Sequence, residues 1–259
     1  MIPMKRRFKQ LIKTLQPSIY VVTDQHDERG IDRRLVSYAD KRSHVAEQYR
    51  VLQTHLYALT AQKTVRTIVI TSGRTAEGKT LTCCNLAITL GSDTSKKTVL
   101  VDCDLRKPDI HTIFNIKKAP GVSDIINGKC DVSDLVKSPV IDNLFVIPAG
   151  STVSNPSELL RRTETKELFE RLKSSFDYVI IDTPPVMPVS DSRIVGALCD
   201  ALIVVARSDK TTKKAAKETS WLLETARTKP LACILTGFQA PFFQYTGYSP
   251  YYVDPKVIG

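Results

Sequence analysis

A chain of 259 residues with 42% apolar and 25% charged side chains can bury a full-sized core, which excludes a disordered, fibrous or collagen-like polymer. The formal net charge of +10 calls for an acidic counterpart, whether anionic lipid, nucleic acid or a nucleotide, and does not choose among them. No apolar run approaches the roughly 20 residues of a bilayer span, and no secretory apolar stretch opens the chain, so the expected compartment is the cytosol.

In chain order, Lys5, Arg6, Arg7, Lys9 and Lys13 stand among Met4, Phe8, Leu11, Ile12 and Leu15. This is the spacing of a short basic amphipathic helix that would contact anionic lipid, with a solvated basic extension as the competing reading. Residues 1–42 are read as that basic extension, 43–240 as a single domain undivided by any linker, and 241–259 as a tyrosine-rich tail. Ser43 to Leu59 reads as a helix carrying Val45, Tyr49, Leu52, Leu56 and Leu59 along one side, a packing or assembly element.

From there apolar runs rich in β-branched residues alternate with helical segments. Strands are expected at Thr67 to Thr71, Val99 to Asp102, Leu144 to Ile147, Tyr178 to Asp182, Ala201 to Val205 and Leu231 to Leu235. Helices are expected at Lys79 to Leu90, Pro156 to Leu160, Glu164 to Ser174, Asp191 to Leu198 and Thr212 to Arg227. The alternation predicts an α/β fold, a mostly parallel sheet with helices on both faces and ligands beyond the carboxyl ends of the strands. Cys83, Cys84, Cys103, Cys130, Cys199 and Cys233 lack paired metal-ligand spacing, and several lie in apolar runs, so buried free thiols are expected.

Directly after the first strand comes Gly73-Arg74-Thr75-Ala76-Glu77-Gly78-Lys79-Thr80, a match to G-x-x-x-x-G-K-[ST], leading into a helix through Leu81. Strand before and helix after is the context in which successive backbone N–H groups and a helix N-terminus cradle phosphate oxygens. Gly73 to Leu81 are therefore the candidate nucleotide-binding residues, with Lys79 for the β/γ-phosphates and Thr80 for Mg²⁺. The next strand runs into Asp102-Cys103-Asp104-Leu105-Arg106, and a later one ends in Asp182-Thr183-Pro184-Pro185. An aspartate at a strand end is commonly a turn cap, but desolvated carboxylates gathered beside a phosphate loop call for a cation, and Mg²⁺ carried by ATP supplies one.

These three segments resemble the Walker A, A′ and B motifs of the bacterial tyrosine kinases, P-loop NTPases of capsule and exopolysaccharide synthesis related in fold to the partitioning ATPases. The resemblance runs from about Ser43 to the C-terminus and includes Asn155-Pro156-Ser157-Glu158-Leu159-Leu160. It implies ATP and Mg²⁺ as cofactors, Lys79, Asp102 and Asp104 as catalytic residues with Asp102 the proton acceptor, and Thr80, Asp104 and Asp182 toward the metal. It further implies that Tyr245, Tyr248, Tyr251 and Tyr252 accept phosphate, and that a membrane polysaccharide co-polymerase is the activating partner at the inner face of the plasma membrane. Glu47 and Arg50 are similar to two positions of the family's E-x-x-R-x-x-R assembly motif, implying a ring or dimer; an ordinary i,i+3 pair is the alternative. The chain departs from its relatives at Gln53, the motif's last basic position, at Thr75-Ala76 in the phosphate loop, and at Thr236, where relatives often carry an adenine-reading Asn. A partitioning- or cell-division-type ATPase switch and a weakly active ATP-binding scaffold are the rival functions. Nucleic acid is not an expected partner.

Overall fold

The computed structural model describes residues 25–60, 65–132, 136–226 and 230–237. The basic Lys5 to Lys13 segment and the four tail tyrosines lie outside these ranges. The described chain runs α1 (Val36–Ala39), α2 (His44–Thr60), β1 (Thr67–Ser72), α3 (Lys79–Gly91), β2 (Thr98–Asp102), α4 (Ile110–Ile113), α5 (Val122–Ile126), β3 (Val136–Lys137), β4 (Leu144–Ile147), α6 (Pro156–Leu159), α7 (Thr163–Ser175), β5 (Tyr178–Asp182), α8 (Asp191–Ala197), β6 (Ala201–Arg207), α9 (Lys213–Thr225) and β7 (Ala232–Thr236).

The seven strands form one sheet in the order β3-β4-β2-β5-β1-β6-β7. All neighbouring pairs are parallel except β3 with β4, where a two-residue edge strand runs antiparallel. The central strands β1, β2 and β5 are buried along their whole length, which is why they read as unbroken apolar runs rather than alternating ones. Their side chains feed two separate cores. Ile68, Ile70, Leu100, Ile180 and Ile203 meet Leu86, Ile88 and Leu90 of α3 on one face; Val69, Val99, Val101, Val179 and Ile181 meet Leu168, Phe169 and Leu172 of α7 on the other.

The six strands expected from the sequence are present, two with the expected bounds and four with one or both ends shifted by one or two residues. Four short elements were not anticipated: α1, α4, α5 and β3 span at most five residues, too few for a period to show. The stretch 25–42, read from its charge as part of an extension, packs on the domain instead. Ile31 and Leu35 are buried in the α3 core. The Ser37 backbone N–H donates to Asn85 Oδ1 at 2.9 Å, and Asn85 Nδ2 donates in return to the Arg34 carbonyl at 3.1 Å. A strap with so few apolar residues is legible only through the buried amide of α3 that receives it. Of the thiols, Cys83, Cys84 and Cys103 are buried as expected, but Cys233 is exposed because β7 is an edge strand. Among the described residues no helix is long and apolar enough to cross a membrane.

A charged staple fixes the start of β1, and with it the strand that feeds the phosphate loop. Asp200 Oδ2 accepts the N–H of Arg66 at 2.9 Å, the N–H of Thr67 at 3.0 Å and the Thr67 hydroxyl at 2.9 Å, while Lys173 donates to Oδ1. Partial burial opposes the carboxylate, but the bonds from Lys173, Thr67 and Arg66 outweigh it and hold the group below its ordinary value of 3.8. A carboxyl depressed on folding contributes stability above its unfolded value and loses it as the pH falls through the folded one. Asp200→Asn is therefore expected to lower the urea-unfolding free energy by about 1.5 to 3 kcal/mol at neutral pH. The gap to the wild type should close as the pH drops below about 4. An equal gap at both pH values would show that the carboxylate charge is not its source.

Candidate functional site

The site lies at the carboxyl ends of three adjacent strands. Sheet register pairs Asp102 with Asp182 across β2 and β5 and pairs Ile70 with Asp182 across β1 and β5. Both aspartates thus leave the sheet at one level, beside the loop that leads from β1 into α3. In that loop Ala76 has φ +59° and Gly78 φ +91°, so two of its residues occupy the left-handed region that turns backbone N–H groups inward. Gly78 caps α3 with no side chain bonded to the helix's first N–H groups. Those donors, at the positive end of a 13-residue helix, are the group an anionic phosphate satisfies. Gly73 is required by proximity, since a Cβ there would come within 2.4 Å of Thr219 Oγ1 on α9.

Of the sequence-predicted polar residues, Thr80, Asp104 and Asp182 converge on Lys79. Its ammonium donates to Asp104 Oδ2 at 2.9 Å, to Asp182 Oδ2 at 3.3 Å and to Thr80 Oγ1 at 3.0 Å, and the Thr80 hydroxyl donates to Asp182 Oδ2 at 2.8 Å. Burial opposes the ammonium, but the Asp182 and Asp104 carboxylates more than offset this and raise its proton affinity. Asp182 is raised above the usual carboxylate range, chiefly by burial, against the pull of Lys79 and Thr80.

Asp102 is wholly buried, and its carboxylate caps the loop that follows it. Oδ1 accepts the Asp104 N–H at 3.1 Å and Oδ2 the Ile110 N–H at 3.3 Å. Burial first, then the Asp182 and Asp104 charges, push its carboxyl well above the usual range.

The donor set suits a hard divalent cation. Thr80 Oγ1, Asp104 Oδ2 and Asp182 Oδ2 already surround a positive charge in the form of the Lys79 ammonium, and Asp182 Oδ1 is a buried oxygen without a hydrogen-bond partner. A divalent cation such as magnesium would give that oxygen a partner, and Thr80, Asp104 and Asp182 are the residues that could hold one.

Several functional neighbours escaped sequence reasoning. Arg106 leaves the Asp102–Asp104 loop and donates through Nε to Asp191 Oδ2 at 2.8 Å and through its terminal nitrogen to Ser157 Oγ at 2.9 Å. Ser157 Oγ donates to Asp191 Oδ1 at 2.5 Å. The fully buried Asp191 and Ser157 at the start of α6 thereby together hold the Arg106 guanidinium, because β4, β2 and β5 are adjacent. No signal in the sequence joins these three residues, and only their position at neighbouring strand ends does so. Thr236 does not present its hydroxyl to open space: it donates to the Glu77 carbonyl at 2.8 Å.

On α2, Arg50 Nε donates to Glu47 Oε2 at 2.6 Å and Arg50 Nη1 to the Lys41 carbonyl at 2.9 Å. Gln53 Nε2, standing where a basic fork was expected, donates to the Tyr57 hydroxyl at 3.0 Å and the Thr89 carbonyl at 3.2 Å. Within the chain, Glu47 and Arg50 form an i,i+3 pair on this helix face.

The family described as an AAA domain matches residues 65–227. The chain is 32% identical over 207 residues to the tyrosine-protein kinase YwqD of Bacillus subtilis, covering 80% of this chain and 87% of that one. It is 31% identical over 211 residues to CapB of Staphylococcus aureus, named a putative tyrosine-protein kinase, covering 82% and 91%. Among solved structures, the kinase domain of the Escherichia coli tyrosine kinase ETK superposes with a TM-score of 0.75 at 27% identity, covering 80% of this chain and 83% of that one.

Proposed function

The chain belongs to the bacterial tyrosine-protein kinases of the AAA-domain family, and from that premise we propose that it transfers the γ-phosphoryl group of ATP to tyrosines of its own C-terminal segment, regulating capsule or exopolysaccharide synthesis and export. One observation carries the reading: Lys79, Thr80, Asp104 and Asp182 meet within hydrogen-bonding distance where the phosphate loop enters α3.

Phosphoryl transfer asks a protein mainly for positioning and charge. The backbone N–H groups of the phosphate loop other than that of Arg74, with those at the start of α3, bind the phosphate chain, and the Lys79 ammonium meets its terminal oxygens. Thr80, Asp104 and Asp182 would hold magnesium, which would supply charge to neutralise the phosphates. Asp102, level with Asp182 at the strand ends, takes the phenolic proton. Burial excludes water from the carboxylates, so the acceptor is reached by a tyrosine hydroxyl only when the 103–110 loop yields.

The acceptors are proposed as Tyr245, Tyr248, Tyr251 and Tyr252, in the segment that follows β7. Transfer to a neighbour's tail makes the activity depend on association, either of copies of this chain or with a membrane co-polymerase that supplies an activating cytoplasmic segment. The basic Lys5 to Lys13 stretch would reinforce placement at the inner membrane face. A partitioning-type ATPase switch is not favoured, because such proteins carry a second lysine early in the loop where this chain has Arg74. Incubation with ATP and Mg²⁺ followed by phosphotyrosine mapping is expected to label the four tail tyrosines. A tail without label, even with the activator segment present, removes the kinase reading and leaves ATP hydrolysis to be accounted for by the switch.

A further inference from the structure

Glu77 sits inside the phosphate loop, yet its carboxylate does not face the phosphate side. It is wholly buried, which for a charged side chain demands a specific reason. Oε2 accepts the N–H of Arg74, within the loop itself, at 2.9 Å. Oε1 accepts the hydroxyl of Thr211, 134 residues further on in the connection between β6 and α9, at 2.5 Å. Thr211 is anchored in turn, its Oγ1 accepting the Arg207 N–H at the end of β6 at 2.8 Å. From the other side, Thr236 at the end of β7 donates to the Glu77 carbonyl.

We propose that Glu77 is a positioning residue for nucleotide binding: through Arg74 N–H, Thr211 and Thr236 it ties the phosphate loop to the ends of β6 and β7 and so holds the loop in its phosphate-cradling shape. This rests on the nucleotide-binding reading of the same loop. The need for such a tie follows from Ala76. A residue with a Cβ at φ +59° is held against its own preference, and it persists there only where the surroundings over-determine it. The carboxylate next to it supplies that determination, gripping the loop at Arg74 on one side of Ala76 while its own backbone is held on the other. Kinase relatives with Pro-Gly or Gly-Gly at positions 75 and 76 would meet the same turn without this cost. Thr75-Ala76, a departure from the family, is thus matched by a fixed neighbour rather than by glycine's freedom.

The chemistry allows a selective test. Glu77→Ala removes both bonds, whereas Glu77→Gln keeps an oxygen for the Arg74 N–H and offers its amide to Thr211 Oγ1, whose hydroxyl can turn. Thr211→Val strips the donor from outside the loop and leaves the buried carboxylate short of a partner, whereas Thr211→Ser keeps the hydroxyl. Equilibrium binding of a fluorescent ATP analogue, with the thermal midpoint measured beside it, separates positioning from folding. Thr211→Val is expected to weaken binding by about 10- to 100-fold, the loss of one hydrogen bond to a charged group, and Glu77→Ala, which loses two, by no less. Glu77→Gln and Thr211→Ser should recover most of it. Glu77→Ala that binds as the wild type does, or a folded Thr211→Val with unchanged affinity, overturns the proposal. If Glu77→Ala does not fold, Thr211→Val decides by itself. A wild-type chain that binds no analogue overturns the nucleotide-binding reading too, whereas normal binding throughout sinks only the role of Glu77.

Discussion

Lys79→Ala is expected to abolish saturable ATP binding and reduce phosphotyrosine formation to background. The side chain is the sole cation among the described residues within hydrogen-bonding distance of Asp104 and Asp182, and it stands at the start of α3, where the proposed function puts the terminal phosphates. Loss of a preorganised charge aimed at a transferring phosphoryl group costs about 10²- to 10³-fold in turnover on its own, and the ground-state phosphates lose the same partner. The variant carries a second penalty. Asp102, Asp104 and Asp182 then share a buried site without a counter-charge, and removing one partner of a buried ion pair costs about 3 to 5 kcal/mol. Lys79→Ala should accordingly unfold at lower urea, and added Mg²⁺ should restore part of the loss by replacing the ammonium among the same oxygens. Unchanged ATP affinity would take this pocket out of the catalytic account, and indifference to Mg²⁺ would take the metal out of it.

Asp182→Asn should show the complementary pattern. The substitution keeps an oxygen for the Thr80 hydroxyl but removes the negative charge that Oδ2 offers and the charge behind the unpaired Oδ1. Turnover is expected to fall by about 10²- to 10³-fold, with ATP bound within severalfold of wild type because the backbone cradle and Lys79 remain. Stability should hold or rise, since burial already works against this carboxylate and the amide relieves a repulsion with Asp104. Parallel measurement of phosphotyrosine formation, nucleotide affinity and urea unfolding checks all three. A variant as active as wild type would exclude Asp182 from metal binding, whereas one that merely loses stability would make it a structural strand-end cap. The contrast with Lys79→Ala is diagnostic: one variant loses nucleotide, the other loses chemistry.

Legibility from the sequence followed the range of the interactions involved. The phosphate loop was readable because its motif is local: a strand, eight consecutive residues and a helix are contiguous. The aspartates were readable as strand-end residues, but that Asp102 caps its loop through the Asp104 and Ile110 N–H groups was not. Gln53 looked like a lost assembly contact, and in the structure its amide reaches the Thr89 carbonyl of α3. Thr236 looked like a missing adenine reader and proves to be a support for Glu77. In each case the residue type was correctly noticed and its partner lay far along the chain, beyond what spacing reveals.

Alternation of apolar runs with amphipathic segments was by itself enough to determine a parallel α/β sheet and to place the chemistry at its carboxyl edge, because periodicity and buried-strand composition are properties of contiguous residues. Tertiary structure alone decided that Asp102 and Asp182 stand level, that Lys79 lies between Asp104 and Asp182, and that Arg106 is gripped by Asp191 and Ser157. Those facts depend on strand order and register, which arise from packing two cores against one sheet, and a hydrogen bond of 3 Å or less cannot be inferred from composition.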